Sequence, residues 1–582
     1  MPRTPSSDSD ARLALLATER GAVFKPHDGR IRVALAFPNT YHVGMSNLGF
    51  QTAYRLFNDQ AAIVCERVFL PPRQELADRL LSGSRLATLE SGLGVHEADV
   101  LAFSVSFEWD YTNLLTVLRL AGLPLRAADR DSRHPLVVLG GAVTFVNPEP
   151  LAPFVDVIAV GEGEALVPVL TSEMAAASSR RDLFGRLAGR EGFYVPSFYE
   201  PVYDDEGHLS SFGPDERAGA RVPVQKATVK LPTADDPPHT VIFTPGTEFG
   251  SRFLVEVVRG CPNLCRFCWA GYNYLPVRPF DADRILALAA RARPYANRTG
   301  LVSIALCDHP DIDRILGGLA EMGYSISPAS LRLDDLTPSI VARLHQTGER
   351  TLTIAPETGS DRLRRVVNKT VTNEQILDRA ELVFSSGIEN LKLYFMIGLP
   401  TETDEDLVAI RDLTAELRRI MVKHARRRGR IGRIIGSVNP LVPKPGTAYQ
   451  WLPMERSSEI ERRIRRLRRL MAGMGSVYFN IKSERHSFYQ ALLSLGDRRV
   501  APVIEAAEAN GGHWRQAAAV AGIDPADYVF RDRRHDPLLP WEIVSSSPRP
   551  AFLRNELDKA MRAEFTLPQK RRLASPEVTH AS

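Results

Sequence analysis

The sequence predicts an α/β protein in which an open, Rossmann-like parallel sheet is followed by a partial barrel and a smaller basic C-terminal region. Two stretches of the 582 residues alternate extended apolar runs with helix-like segments. A connector containing Pro and Asp separates them, and the composition, 44% hydrophobic and 24% charged, is that of a globular protein. We expect domains at 21–196 and 251–443, a linker at 197–250 and a C-terminal accessory region at 444–582.

The first domain contains five extended runs, with helix-like segments between them. The runs are Ile31–Phe37, Ala61–Cys65, Asp99–Ser106, Leu136–Gly140 and Val155–Gly161, and the helices are 46–58, 111–121 and 164–177. Strands that alternate with helices in this way form parallel sheets, which bind ligands at the carboxyl ends of their strands. Small residues follow several of these ends, including Ser104 and the Gly140-Gly141 pair.

The second domain contains six strand–helix units. Its extended runs are 253–258, 301–306, 325–331, 351–355, 390–397 and 433–438, separated by helices such as 281–292, 337–346, 372–385 and 404–422. Six units rather than eight indicate a barrel that does not close. An open barrel leaves a lateral mouth, which can admit a large substrate.

Three of the five cysteines fall within eight residues, at Cys261, Cys265 and Cys268. Three thiolates are one fewer than the four that complete a structural zinc site or hold a [4Fe-4S] cube by cysteine alone. A cube held by three cysteines leaves one iron open to a further ligand. The alternative is a structural zinc loop, but no fourth Cys or His follows at zinc-finger spacing.

The spacing C-x3-C-x-aromatic-C, with Phe267 in the aromatic position, resembles the signature of the radical SAM superfamily. The resemblance implies that a [4Fe-4S] cluster on the three cysteines binds the amino and carboxylate groups of S-adenosylmethionine (SAM). It also implies that an electron from the cluster cleaves SAM to a 5′-deoxyadenosyl radical, so that a reducing partner such as a flavodoxin or ferredoxin is expected.

The first domain is similar to the cobalamin (B12)-binding domain that precedes many radical SAM cores. In that family a Gly-Gly pair and a small hydroxyl residue let the nucleotide tail of B12 pass close to the backbone. Gly140, Gly141 and Thr144 occupy these positions, with Ser104 as a hydrogen-bonding partner. The Asp-x-His-x-x-Gly signature of other B12 proteins is missing, and His42 does not satisfy it. Two readings stay open: cobalamin without a protein ligand, or a domain that recognises another molecule.

The resemblance also assigns roles at the strand ends of the barrel. Glu357 occupies the position of a carboxylate that accepts hydrogen bonds from the ribose hydroxyls of SAM; the alternative is an acid at a helix N-terminus. Asp308 is a candidate partner of the SAM amine. Arg332 is a candidate partner of the SAM carboxylate, or one half of a surface salt bridge. The segment Lys392–Pro400, which includes Ile397, resembles the strand that packs against adenine.

Positive charge is concentrated near the C-terminus although the net charge is only +4. Residues 411–500 contain 21 lysines and arginines against 7 acidic residues. A basic helix is expected at 457–474, with an apolar stripe facing the core. The basic block is either a solvated face or a surface that binds RNA.

The sequence predicts a cytoplasmic protein that does not enter a membrane. Residues 1–10 are polar and lack the apolar segment of a secretory signal. No apolar run approaches the ~20 residues that span a bilayer. A cytoplasmic location also suits an oxygen-sensitive cluster.

Three hypotheses for function follow. The first is a radical SAM enzyme that uses cobalamin to methylate an unactivated carbon. The second is a cobalamin-independent radical SAM enzyme that modifies RNA or a metabolite. The third is an RNA-binding protein whose cluster is structural. A methylthiotransferase is disfavoured because a second cluster needs three more cysteines and only Cys65 and Cys307 remain.

Overall fold

The computed structural model describes residues 5–229, 236–328, 331–333, 336–545 and 549–566. Part of the predicted linker and the end of the predicted C-terminal region lie outside these residues. Within them the chain forms two parallel-sheet units and a set of C-terminal helices, which confirms the predicted α/β fold class.

The N-terminal unit is a six-stranded sheet with strand order β2-β1-β3-β4-β5-β6. The first five strands in this order are parallel, and β6 pairs antiparallel with β5. The strands are β1 (Ile31–Thr40), β2 (Ile63–Leu70), β3 (Val100–Ser104), β4 (Leu136–Gly140), β5 (Val157–Ala159) and β6 (Phe193–Tyr194). The helices are α1 (Pro5–Ala17), α2 (Tyr41–Gly44), α3 (Leu48–Asp59), α4 (Arg73–Ser82), α5 (Tyr111–Leu120), α6 (Gly163–Ala176) and α7 (Arg180–Ala188). The linker that follows forms a small antiparallel hairpin of β7 (Val202–Tyr203) and β8 (Leu209–Ser211).

The second unit is an open barrel built from two four-stranded sheets, β10-β9-β11-β12 and β13-β14-β15-β16. A backbone hydrogen bond from Leu331 to Thr353, 3.2 Å long, connects them. The strands are β9 (Phe253–Arg259), β10 (Arg278–Pro279), β11 (Arg298–Ser303), β12 (Ser325–Pro328), β13 (Thr351–Glu357), β14 (Asn390–Ile397), β15 (Ile434–Pro440) and β16 (Val477–Ile481). The helices are α8 (Trp269–Asn273), α9 (Ala282–Ala292), α10 (Ile312–Glu321), α11 (Pro338–Gln346), α12 (Asp361–Val366), α13 (Asn373–Ser385), α14 (Asp404–Arg428) and α15 (Ser457–Met471).

The barrel sheet extends further along the chain than the sequence predicted. The predicted barrel ends at residue 443, whereas β16 pairs in parallel with β15 and is also part of the sheet. The basic helix α15 is the connection between these two strands. Its buried Ile460, Ile464 and Leu467 pack into the core of the barrel. The apolar stripe of the basic helix is therefore a barrel feature, and its arginines lie on the outer surface and the flanks.

The remaining helices pack against both units. They are α16 (Glu484–Leu495), α17 (Ala501–Ala509), α18 (Trp514–Ala521), α19 (Ala526–Val529) and α20 (Pro550–Met561). Helix α17 packs against α5 of the N-terminal unit, and α20 packs against α12 of the barrel. Arg119 of α5 forms an ion pair with Glu508, and Arg498 forms one with the buried Glu149. The C-terminal region thus joins the two sheets into one body. A search of the described residues finds no helix with the length and apolarity to cross a membrane.

Candidate iron–sulfur and cofactor site

The three cysteines lie in the loop between β9 and α8. Gly260 leads into this loop with φ +90°, and a Cβ there would come within 2.4 Å of the Tyr274 carbonyl oxygen. Glycine is therefore required at this position. Cys261 and Cys265 are buried and Cys268 is half-buried. The chain turns sharply after the strand, so all three thiols lie at the carboxyl edge of the barrel.

The thiols have the surroundings that a cluster requires. The Gly271 amide donates a hydrogen bond to Cys268 Sγ at 3.4 Å, and the Asn263 amide does the same for Cys261. Burial raises the pKa of the Cys265 thiol to about 12, so its thiolate needs a compensating positive charge. Bound iron supplies that charge.

Among the described residues, the three cysteines do not form a site for a single metal ion. In the part of the chain that the structure describes, no group of three or more His, Cys, Asp or Glu residues is arranged around one metal ion. In a [4Fe-4S] cube each cysteine binds a different iron, so the sulfurs stand apart. The thiols still interact electrostatically with one another. This arrangement fits a cube held by Cys261, Cys265 and Cys268.

A buried ion pair lies beside the cysteines at the end of β13. Lys369 Nζ donates to Glu357 Oε1 at 3.2 Å. Burial raises the pKa of the Glu357 carboxyl, and Lys369 opposes this shift. Burial lowers the pKa of the Lys369 ammonium, but Glu357 and Cys265 raise it by more, so that the net shift is upward. Glu357 also has φ +65°, which is unusual for a residue with a side chain and is typical of functional sites.

The structure places Glu357, the predicted partner of the SAM ribose, beside the cysteines, and adds Lys369, which the sequence analysis missed. Lys369 follows α12 with no motif around it. Only the folded chain shows that its ammonium interacts electrostatically with both Cys265 and Cys268.

Asp308 and Arg332 were predicted as separate partners of SAM, and the structure pairs them with each other. Arg332 donates two hydrogen bonds to the carboxylate of Asp308, at 2.8 and 2.7 Å. Arg332 also donates a hydrogen bond to Cys261. Both residues therefore stand next to the cysteine loop and are mostly shielded from solvent. This pair presents both signs of charge beside Cys261.

Strand β14 has two different faces. Leu391, Leu393, Phe395 and Ile397 are buried against the helices, whereas Lys392 and the alternate residues after it are only half-buried on the inner side of the barrel. The side chain of Ile397 belongs to the helix-facing core, so this position can offer adenine its backbone. The half-buried Phe267 packs against the other large core, which the N-terminal unit and the C-terminal helices share.

A cavity of about 510 Å³ separates the N-terminal sheet from the barrel. Ser104, Gly140 and Gly141 line it at the carboxyl edge of the sheet. Leu56 of α3 and Leu166 of α6 belong to its apolar walls. On the barrel side the lining residues are Val258, Arg259, Gly260, Val302, Ser303 and Ile304. The cavity therefore extends from the N-terminal sheet to the residue that precedes Cys261.

The Gly140-Gly141 turn is built by close backbone contacts. Gly141 has φ +99°, and a Cβ there would lie 2.3 Å from the Val105 carbonyl oxygen. Thr144 is buried, and its hydroxyl donates to the Gly141 carbonyl at 2.9 Å. Thr144 is not among the cavity-lining residues and supports the turn from behind. His42, an exposed residue of α2, forms a hydrogen bond with the Gly246 carbonyl and does not line the cavity either.

Sequence reasoning missed the charged rim of the cavity. Arg259 forms ion pairs with Glu162, Glu164 and Glu256, and Arg278 adds a second cation to Glu162. Burial works to raise the pKa of the Glu162 carboxyl, but the two arginines hold it below its usual value. These residues come from both sheets, so the network ties the sheets together beside the cavity.

Sequence reasoning also missed a cluster of aromatic rings between the cavity and the cysteine loop. Trp269 directly follows Cys268 and has its ring centroid 5.0 Å from that of Phe145 and 5.5 Å from that of Tyr274. Phe145 and Tyr274 line the cavity. Lys226 lies over the Phe145 ring, and burial lowers the pKa of its ammonium to about 8. The aromatic rings therefore lie between the cavity and the cysteine loop.

The basic segment 411–500 is partly neutralised by its own acidic neighbours. Arg463 is buried and contacts Glu402, Glu455 and Glu459. Arg462 forms ion pairs with Asp404 and Glu459. Other members, such as Lys423 with Glu381, are paired in the same way. These side chains stabilise the barrel and its helices.

Comparisons with known proteins agree with this architecture. Residues 49–196 match a family described as radical SAM proteins, N-terminal, and residues 255–414 match the radical SAM superfamily. Uncharacterized protein MJ0966 of Methanocaldococcus jannaschii is 30% identical over 424 residues, 72% of this chain and 82% of that protein. Uncharacterized methyltransferase PH0819 of Pyrococcus horikoshii is 25% identical over 298 residues, 49% of this chain and 58% of that protein.

The solved structure of the radical SAM methyltransferase TsrM from Kitasatospora setae has a similar fold. Its TM-score is 0.50 at 12% identity, and the match covers 85% of this chain and 98% of that one. The fold and the cysteine loop define a class of iron–sulfur proteins with a Rossmann-like domain in front of an open barrel. The chain belongs to the radical SAM superfamily, and its first domain matches the N-terminal family of radical SAM proteins. Its cofactors accordingly include a [4Fe-4S] cluster and SAM, and the family requires a reductant.

Proposed function

We propose that this protein is a radical SAM enzyme that binds cobalamin and transfers a methyl group to an unactivated carbon. The observation that carries the proposal is the cavity of about 510 Å³ between the two sheets, which reaches the residue before Cys261. It has the size of a ligand-binding cleft. PH0819 is named a methyltransferase, and the TsrM structure contains cobalamin and a [4Fe-4S] cluster. Both facts support the same assignment.

The residues around the cavity fit a large neutral cofactor. The groove between α3 and α6 is apolar and suits the flat base of a nucleotide tail, while the Gly140-Gly141 turn offers backbone at close range. Ser104 and Ser106 supply hydroxyls at the same edge. Among the described residues that line the cavity none is a histidine, so the chain would hold the corrin by shape and backbone contacts.

The residues around the cysteine loop fit SAM. The amino and carboxylate groups of its methionine moiety carry opposite charges, which match Asp308 and Arg332. Glu357 can accept hydrogen bonds from two vicinal ribose hydroxyls, and its ion pair with Lys369 opposes the rise in the pKa of this carboxyl that burial causes. When bound, the cluster and SAM would supply a 5′-deoxyadenosyl radical, and cobalamin would supply the methyl group. We propose a cytoplasmic flavodoxin or ferredoxin as the source of electrons.

The decisive experiment measures retained corrinoid. Protein reconstituted anaerobically with iron, sulfide and hydroxocobalamin is passed through a gel-filtration column, and its absorbance is recorded. We expect about one corrinoid per chain. Addition of dithionite and SAM with a deuterated methyl group should give 5′-deoxyadenosine and S-adenosylhomocysteine, and should place the label on the corrinoid.

A matched pair of variants locates the corrinoid. Gly140→Val narrows the cavity without backbone strain, because a Cβ there meets only the Phe103 carbonyl oxygen, at 3.5 Å. Gly185→Val is the control, since Gly185 lies on the exposed face of α7 with no neighbour within 4 Å. Corrinoid should be lost in the first variant and kept in the second. A wild-type protein that keeps its cluster but retains no corrinoid would reject the proposal and leave the cobalamin-independent enzyme.

A further inference from the structure

The first of the two residues between the second and third cysteines, Arg266, is tied to α20 and to the residues that follow this helix. Arg266 is completely buried, and its Nε donates to Glu556 of α20 at 3.1 Å, with both side chains 0% exposed. Nη2 donates to the Glu564 carbonyl at 2.8 Å. Nη1 donates to the carbonyls of Arg365 and Val366 at 2.8 and 3.1 Å. The guanidinium thus joins the cysteine loop to α20, to the residues after it and to α12.

A second connection holds the other side of Cys265. The other oxygen of Glu556, Oε1, accepts from Thr566 Oγ1 at 2.6 Å and from Lys559 Nζ at 3.4 Å. The Thr566 amide donates to Asn368 Oδ1 at 2.9 Å, and Asn368 Nδ2 donates to the Leu264 carbonyl at 3.0 Å. Leu264 and Arg266 flank Cys265. Both neighbours of this cysteine are therefore fixed, directly or through one residue, by the segment 556–566.

We propose that α20 and the residues that follow it to Thr566 form a clasp that holds the cysteine loop in its cluster-binding conformation, with Glu556 as the positioning residue. Short loops without secondary structure are free to change conformation, and a cluster needs three thiols at fixed separations. A carboxylate buried against Arg266 restricts the loop strongly, because neither group can be left alone in the interior. The clasp acts on the apoprotein, before iron arrives, and is independent of cobalamin.

The first test uses the apoprotein and needs no enzyme activity. Iodoacetamide labelling, followed by peptide mass spectrometry, gives the alkylation rate of each cysteine. In Glu556→Gln we expect Cys265 to be alkylated about 10-fold faster than in the wild type, because the loop opens more often. Cys65 is fully buried in β2 and far from the clasp, so it reports unfolding of the whole molecule. Its rate should not change.

A matched control separates the clasp from the general effect of a lost charge. Glu564→Gln removes a carboxylate from the same segment, but that carboxylate is half-exposed and, among the residues that the structure describes, its ion pair is with Arg562. In this variant Cys265 should be alkylated at the wild-type rate, and the reconstituted protein should keep its cluster. After reconstitution, Glu556→Gln should lose its visible [4Fe-4S] absorbance to EDTA about 10-fold faster than Glu564→Gln.

Three results would overturn the clasp. Equal cluster retention in both variants would make the Arg266–Glu556 pair irrelevant to the loop. Equally fast loss of the cluster from Glu556→Gln and Glu564→Gln would assign the effect to the removal of a negative charge alone. If Cys65 is alkylated faster in Glu556→Gln, the labelling is repeated on Glu556→Asp, which keeps the charge. If Cys65 and Cys265 are both alkylated faster in that variant too, the Arg266–Glu556 pair supports the whole fold and not the cysteine loop.

Discussion

The strand ends of the two sheets face each other but differ in chemistry. At the barrel edge Asp308 pairs with Arg332 and Glu357 with Lys369, around three thiols. At the N-terminal edge the corresponding positions are small and uncharged, as at Ser104 and the glycine turn, and apolar helices continue the wall. The charged residues of the cavity lie at its rim and are paired with one another.

This difference shows how one cleft can bind two kinds of ligand. Buried charges bind strongly only where a ligand offers the opposite charge in a fixed place, which suits a small zwitterion next to a cluster. A large neutral ligand gains more from apolar area and from backbone that approaches closely. Variants at the barrel edge should therefore have large, specific effects, and variants at the N-terminal edge smaller ones that depend on shape.

The largest expected effect is the loss of a cluster ligand. Cys265→Ala removes a buried thiol of the loop, and the anaerobically reconstituted protein should show no [4Fe-4S] absorbance and form no 5′-deoxyadenosine. Cys65→Ala is the control, since Cys65 lies in β2 of the other sheet, and its cluster content should equal that of the wild type. A cluster that survives in Cys265→Ala would mean that another residue completes the site.

The next effect concerns the charges that face SAM. Asp308→Asn neutralises the carboxylate that accepts two hydrogen bonds from Arg332 and removes the proposed partner of the SAM amine. The dissociation constant of SAM, measured from the change in the electron paramagnetic resonance spectrum of the reduced cluster, should rise about 10- to 100-fold. Asp311→Asn, an exposed change three residues away, should leave it unchanged. Equal affinities in the two variants would remove Asp308 from the SAM site.

The sequence was sufficient for the parts of the molecule that depend on local spacing. The cysteine spacing in the Cys261–Cys268 loop is a local pattern, and so is the alternation of strands and helices. The second of these patterns predicts the α/β fold that the structure has. Lys369 could not be found in this way, because its role depends on a contact with Glu357, which lies on another element. Strand β16 was missed because it follows a basic helix whose charge suggested a separate surface.

The mixed result at the predicted SAM and cobalamin residues has a similar cause. Spacing places Asp308 and Arg332 at strand ends, but only the folded chain shows that they pair with each other. A small hydroxyl after two glycines predicts Thr144 near the turn, but not that its hydroxyl points back to Gly141. A residue pattern locates a side chain along the chain, whereas its direction depends on packing.

A third prediction concerns Lys226, on the wall between the two edges. Its pKa is lowered to about 8 from the ordinary 10.5, chiefly by burial. Between these values the native state binds fewer protons than the unfolded chain, so the unfolding free energy of the wild type should rise with pH across this window. At pH 7 the cost of the buried charge is fully present. Lys226→Met should then be more stable than the wild type by about 1–3 kcal/mol.

Urea unfolding of the apoprotein at several pH values measures this effect. The advantage of Lys226→Met should shrink as the pH rises from 8 to 10.5, because the wild-type lysine becomes neutral. Lys423→Met, which removes an exposed lysine paired with Glu381, should stay within about 0.5 kcal/mol of the wild type. A destabilised Lys226→Met at pH 7 would show that the ammonium makes a favourable contact that outweighs its burial.

The smallest effect on stability is expected for a change at Thr144, which supports the Gly140-Gly141 turn. Thr144→Val keeps the volume of the side chain and removes one hydrogen bond, from the hydroxyl to the Gly141 carbonyl, for a loss of about 1 kcal/mol in stability. The Gly141 carbonyl keeps its bond from the Thr144 amide, 3.1 Å long, so the turn should persist. Cobalamin retention should therefore fall less in Thr144→Val than in Ser104→Ala, because Ser104 lines the cavity and Thr144 does not. The reverse order would show that the Thr144 hydroxyl turns toward the ligand, as the sequence resemblance predicts, and that the N-terminal edge binds by specific hydrogen bonds as well as by shape.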